Sequence, residues 1–295
     1  MKKIFHLALL IIFTTGAQAK TTSKKLLLEK LASGHMVADV TIKNFTSKFI
    51  IDTGSTSSVI NKALVDRLAL KAVESDSKIK GYAPGQAEYS MSQYSVKKLQ
   101  IGDFLTTDVT FVEQDITAAF AGLTESPIGG ILGQEILAAH GLLLDINNST
   151  LSFPANSAFE GYTSIPMLIS NIGLPVIELS INQKPVNMII DSGAGEVMLD
   201  QKIAESENFG EIKFPEGMVG YDETGVERQI GLIEQGDISI GGQSFKRHLL
   251  VDDFSNLLEQ INASRKKKVV GLIGLNVLSG LSALVDIKNQ KLYIK

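Results

Sequence analysis

A chain of 295 residues, 44% of them hydrophobic, is long enough for two domains with adequate cores. Its formal net charge of −4, with both signs interspersed, argues against nucleic acid or an anionic surface as partner. There is no cysteine, which excludes disulfides and lipid attachment at a cysteine, so each domain must be held by its core alone.

Residues 1–19 read as a secretory leader: Lys2-Lys3, an apolar stretch from Ile4 to Phe13, and Ala17-Gln18-Ala19 as a small-x-small cleavage site. The stretch is shorter than the about 20 apolar residues that span a bilayer. The expectation is cleavage after Ala19 and an exported protein, periplasmic or secreted, with no stable membrane anchor. Leu26-Leu27-Leu28 with Leu31, ended by Gly34, predict a short helix before His35.

Val37 to Ile42 alternates as a strand, Lys43-Asn44 turns, and a second strand runs through Phe49-Ile50-Ile51 to Asp52-Thr53-Gly54-Ser55. After this loop the apolar pair Val59-Ile60 leads to Asn61, a helix-capping residue type. Ala63, Leu64 and Leu68 then predict a short amphipathic helix. Gly81-Tyr82-Ala83-Pro84-Gly85 reads as a hairpin turn. Further on come Ile131-Leu132-Gly133 and Asp145-Ile146, and residues 156–173 read as a linker.

The chain then repeats itself. Met188-Ile189-Ile190-Asp191-Ser192-Gly193-Ala194 follows the first aspartate segment at an offset of 139 residues. The same offset aligns Ile42 with Ile181, Asn61 with Asp200, and Gly81-Tyr82 with Gly220-Tyr221, which opens a second hairpin ending at Gly225. After a two-residue insertion the offset is 141 and aligns Ile131-Leu132-Gly133 with Leu272-Ile273-Gly274 and Leu151 with Leu292. The chain is therefore a tandem duplication, with units over 20–155 and 174–295. The basic run Arg265 to Lys268 reads as a solvated loop face.

These motifs, in this order, resemble the aspartic proteases of the pepsin and retropepsin group over nearly the whole chain after the leader. The resemblance implies a mainly β fold: two similar β-barrel lobes in tandem with an active-site cleft between them. It implies catalysis by Asp52 and Asp191, with Thr53 and Ser192 cross-bracing the two loops. Gly54, Ser55, Gly193, Gly133 and Gly274 would support those loops. Gly81, Tyr82, Gly85, Gly220, Tyr221 and Gly225 would form one flap per lobe over a bound peptide. A flap in each lobe is more like a fused retropepsin pair than like pepsin.

The chemistry such a pair performs follows from its charge. Two adjacent carboxylates cannot both ionise cheaply, so they share a proton. The ionised one can take a proton from water while the protonated one hydrogen-bonds a peptide carbonyl. No metal and no cofactor is required, and the expected substrate is a peptide or protein, cleaved by a monomer.

Competing chemistries find little support in the residues. His35, His140 and His248 are scattered, with no His-Glu-x-x-His pair for zinc, and are read as structural. There is no Gly-x-Ser-x-Gly nucleophile elbow, and Gly129-Gly130-Ile131-Leu132-Gly133 lacks the Lys-Ser/Thr of a phosphate loop. The alternative use of the fold is a non-catalytic exported peptide-binding module, which would usually lose an aspartate. Ser55 has a hydroxyl where the second copy has Ala194. A donor to Asp52 alone predicts that Asp52 carries the charge and Asp191 the shared proton.

Overall fold

The structure, a computed structural model, describes residues 25–295 apart from 75–78, 82–88, 126, 155, 222–226 and 264. Met36–Ile42 and Phe45–Ile51 pair as an antiparallel hairpin, Ile42 opposite Phe45 and Val37 opposite Ile50. Their second-lobe counterparts, Pro175–Ile181 and Lys184–Ile190, pair in the same register, Ile181 opposite Lys184 and Val176 opposite Ile189. That turn places Asn182 and Gln183 at φ of 50° and 64°, the handedness that suits the twist of a tight hairpin.

Each hairpin belongs to a seven-stranded sheet closed on itself, which leaves few open edges. In the first lobe Gln93–Ile101 returns to pair with Met36–Ile42, Val40 opposite Ile101. In the second Gly231–Ile240 returns to Pro175–Ile181, Ile181 opposite Ile238. The chain is thus mainly β, two barrels in tandem.

The strands that end at the aspartates are buried on both faces, which is why they are continuously apolar rather than alternating. Phe49 and Ile51 point into a core cluster that also holds Met188 and Ile190. Ile50 points the other way, to Val37, Val59, Val112 and Ile116. Ile189 likewise faces Val176, Leu174 and Leu272. Each such side chain contributes roughly 1.5–3 kcal/mol on burial, so a strand of this kind is a stiff mount for whatever follows it.

A third sheet, of six strands, joins the lobes. Its order is Lys25–Leu27, Thr150–Ser152, Leu143–Asp145, Leu284–Asp286, Lys291–Ile294, Thr163–Pro166. The seam is Leu144 opposite Val285. The stretch 156–173 is therefore no bare tether. Its strand Thr163–Pro166 edges this sheet, and Phe159 stacks on Tyr293 at 4.0 Å.

The helix expected around Leu26 to Leu31 is replaced by strands Lys25–Leu27 and Glu29–Lys30. Leu27 is 76% exposed between the part-buried Leu26 and the buried Leu28, a period of two. The free edge at Thr150–Ser152 supplies ladder partners for the segment, and that tertiary pairing overrides the helical reading of four leucines. The two helix caps are as expected. Asn61 accepts from Ala63 N ahead of helix Lys62–Leu68, and Asp200 from Ile203 N ahead of Gln201–Glu207.

The lobes differ at the insertion. The second carries an additional helix, Ser255–Asn262, which sends Leu258 and Ile261 into the cluster around Ile189. The basic run that follows is solvated, with Lys267 paired at the surface to Glu178.

Candidate active site

Asp52 and Asp191 each stand one residue beyond the end of a buried strand, and the rest of the site keeps them there. Gly130–Leu132 runs parallel to Phe49–Ile51, and Leu132 O accepts from Asp52 N at 3.0 Å. Ile273 O does the same for Asp191 N, also at 3.0 Å. The residue after each supporting glycine then donates back to the loop: Gln134 N to Ser55 O at 2.9 Å, Leu275 N to Ala194 O at 2.8 Å. Gly133 and Gly274 make this approach possible. A Cβ on Gly274 would lie 2.6 Å from Ala194 O and 2.4 Å from Glu196 O, and one on Gly133 would lie 2.9 Å from Ser55 O.

Between the lobes the two hydroxyl residues cross. Thr53 Oγ1 accepts from Ser192 N at 3.0 Å and donates to Ile190 O at 2.9 Å. Ser192 Oγ accepts from Thr53 N at 3.0 Å and donates to Ile51 O at 2.8 Å. Both side chains are completely buried. The brace brings the carboxyls into hydrogen-bonding contact with each other. Each packs on the other's glycine: a Cβ on Gly54 would lie 2.4 Å from Asp191 Cγ, and one on Gly193 2.5 Å from Asp52 Cγ. No larger residue fits at either glycine without separating the pair.

Burial raises both aspartates above the usual carboxylate range. Asp191, facing the charge of Asp52, is pushed well above it. Asp52 is held lower by the hydrogen bond from Asp191, by backbone donors and by His35. The hydroxyl that the sequence offered as a source of asymmetry does not supply one. The Ser55 hydroxyl donates to Ser57 O at 2.8 Å, away from Asp52. The loop donors to the two carboxyls are backbone groups and match: Gly54 N and Ser55 N for Asp52, Gly193 N and Ala194 N for Asp191. Ser55→Ala is therefore expected to leave the lower apparent pKa of the pair where it is. A carboxyl titration that moved upward in this variant would restore the hydroxyl as the source of asymmetry.

Two residues that the sequence reading left out stand beside the pair. Glu135 Oε1 accepts from Ser58 N at 2.6 Å, while its Oε2 is buried with no partner among the described residues. Burial raises Glu135, and the charge of Asp52 adds to the rise. The available signal was a lone acid directly behind Ile131-Leu132-Gly133-Gln134; the second copy has Asn276 there, bonded to Glu196. The other is His35, whose Nε2 donates to Gly193 O at 2.8 Å. A histidine immediately before a buried strand carried no such signal.

The three raised carboxyls of the site, Asp52, Asp191 and Glu135, set the sign of its own pH dependence. Their native forms hold protons that the unfolded chain has released, so their contribution to stability is greatest below about pH 4. It falls as pH rises from the unfolded value toward each native value, by about 1.4 kcal/mol for each pH unit between them. Asp191→Asn is expected to remove the steepest part of this fall and to be more stable than the parent at pH 7. Denaturant melts of both proteins from pH 3 to 8 measure the difference, in which ionisable groups away from the pair cancel. Parallel curves would show that Asp191 ionises as freely in the fold as outside it.

Of the flap residues, Gly81 ends strand Ile79–Gly81, which pairs with Tyr89–Met91. Gly220 and Tyr221 lie in strand Val219–Tyr221, which pairs with Glu227–Gln229. Each lobe thus has a separate two-stranded hairpin. Tyr82, Gly85 and Gly225 lie outside the described residues.

A model of the aspartyl protease family matches residues 38–136, the part of the first lobe that holds Asp52, its supporting strand and Gly133. Among solved structures the chain is similar to the aspartic proteinase from Irpex lacteus, with a TM-score of 0.50 and 15% identity. The match covers 92% of this chain and 96% of that one. At that identity the likeness speaks for the fold: a two-lobed, pepsin-like architecture over the full length. A search of curated proteins gave no match. The fold of the chain is thus pepsin-like, with the family-model match in the first lobe and a second aspartate loop built the same way in the other.

Proposed function

We propose that the protein is an aspartic endopeptidase, active as a monomer, in which Asp52 and Asp191 together activate a water against a peptide bond. The observation that carries the reading is the hydrogen-bonded carboxyl pair, locked by four buried hydrogen bonds across the lobes. A pair holding one proton offers a base and an acid within reach of one carbonyl. Asp52, ionised, takes a proton from the water as its oxygen attacks the scissile carbonyl carbon. Asp191, protonated, donates a hydrogen bond to the carbonyl oxygen as negative charge develops there. Collapse of the tetrahedral species transfers a proton to the leaving amine and breaks the carbon–nitrogen bond, with no covalent enzyme intermediate.

The two hairpins, Ile79–Gly81 with Tyr89–Met91 and Val219–Tyr221 with Glu227–Gln229, serve in this reading as flaps that exclude water from the bound peptide. Tyr82 and Tyr221 are the residues that would cover the bound peptide in this reading. The leader grammar of residues 1–19 makes export, to the periplasm or beyond, part of the same reading.

The test is incubation of the protein from residue 20 onward with a diverse peptide pool between pH 3 and 8, the cuts read by mass spectrometry. Internal cuts made by the parent and not by Asp52→Asn are expected. Cutting by both would assign the activity to a contaminant, and cutting by neither would leave the fold as a peptide-binding module.

A further inference from the structure

His35 touches the second aspartate loop from the first lobe, and its ring is held on three sides. Nε2 donates to Gly193 O at 2.8 Å, and Nδ1 lies 2.8 Å from Ser33 Oγ. The ring meets Phe120 edge-on, with centroids 6.2 Å apart at 84°. Its own carbonyl accepts from Leu31 N at 2.8 Å, and the next residue, Met36, opens a fully buried stretch of strand. The ring is therefore mounted, not draped over the surface.

What it holds is Gly193, which touches both aspartates, as Gly54 does in the other loop. Gly193 N donates to Asp191 Oδ1 at 2.8 Å, and the Asp52 carboxyl rests on the Gly193 Cα, where a Cβ would lie 2.5 Å from Asp52 Cγ. The duplication provides an internal control. At the offset of 139 the second lobe has Leu174, which is buried among Val176 and Ile189 and cannot donate. The site thus has two nearly identical loops and one polar strut, on one side only.

We infer that His35 is a positioning residue of the aspartate pair. Its Nε2–H holds the Asp191-Ser192-Gly193 loop against the first lobe. Because a carbonyl can only accept, Nε2 is the donor at this contact. The Gly193 carbonyl, Ser33 and Phe120 hold the ring in place.

The kinetic arm of the test rests on the hydrolytic reading; the titration arm does not. Two variants separate the strut from the bulk of the ring. His35→Leu, the second lobe's own choice, removes the donor, and His35→Gln keeps an N–H donor. His35→Leu is expected to lower kcat roughly fivefold to tenfold with a smaller change in KM, the worth of one hydrogen bond that aligns a reacting group. His35→Gln is expected to recover most of that loss. The titration of the pair should change in His35→Leu and return toward the parent's in His35→Gln, read by carbon-13 carboxyl titration of the free protein and as the acidic limb of kcat/KM.

The inference is overturned if His35→Leu keeps the parent's pair titration. It is also overturned if His35→Leu loses activity only in step with its melting temperature and His35→Gln restores nothing. An inert parent enzyme whose carboxyl titration still shifts in His35→Leu and returns in His35→Gln would reject the hydrolytic reading and uphold the strut.

Discussion

Asp52→Asn and Asp191→Asn are each expected to lower kcat/KM by roughly 10³- to 10⁴-fold, with KM little changed. General acid and general base catalysis each contribute on the order of 10²–10⁴ in rate, and here the two roles share one proton. An amide at either position cannot take a proton from water, and it disturbs the partner's ionisation too. The loss should therefore be as large for one aspartate as for the other, although Asp191 carries the more strongly raised value. The measurement is single-substrate kinetics on the best peptide from the pool, with a thermal melt of each variant. One variant with parental turnover would dismiss the shared pair. Specific activity should also be independent of enzyme concentration, because one chain supplies both aspartates and the brace between them. A steep rise with concentration would mean that the working unit is a dimer.

Ser192→Ala is expected to cost about 3 kcal/mol of stability and most of the activity. The hydroxyl donates to Ile51 O and accepts from Thr53 N, and both residues are fully buried. Removing it strands two backbone groups, each at about 1–3 kcal/mol, beside the residue that delivers Asp52. Thr53→Val should behave similarly, and a double-mutant cycle should show a coupling well above experimental error, because the two hydroxyls share one network. Ser192→Thr puts the first lobe's residue in the second lobe's equivalent place and is expected to be nearly neutral. Denaturant melts of the parent and the four variants decide this. A Ser192→Ala variant as stable as the parent would mean that water or a rearranged backbone takes over the brace.

Much of this architecture was legible in the chain because it was written twice. An offset of 139 residues aligned the hairpin strands, both aspartate loops and both helix caps, and an offset of 141 aligned both supporting glycines. Each of these is a local requirement: period-two or continuous burial for strands, a side-chain oxygen for a cap, no Cβ where two loops meet. The three apolar residues ahead of each aspartate reflect burial on two faces at once.

Other features depended on residues far apart in sequence. Leu26 to Leu31 looked helical because local spacing cannot reveal a free sheet edge more than a hundred residues away at Thr150–Ser152. Ser55 looked like the donor that makes the aspartates unequal, but its hydroxyl is turned to Ser57 O by a backbone path the sequence does not specify. Glu135 joined the site through Ser58 of its own lobe, and His35 only where the first lobe meets the second aspartate loop. One was a lone acid in an apolar segment and the other a histidine with no partner in sight. By itself, then, the sequence determined two lobes, two aspartates and their supports, because those follow from short-range periodicity repeated at a fixed offset. Only the tertiary structure decided which groups surround the pair and make its members unequal, because a carboxyl's proton affinity is set by burial and by neighbours brought from other strands.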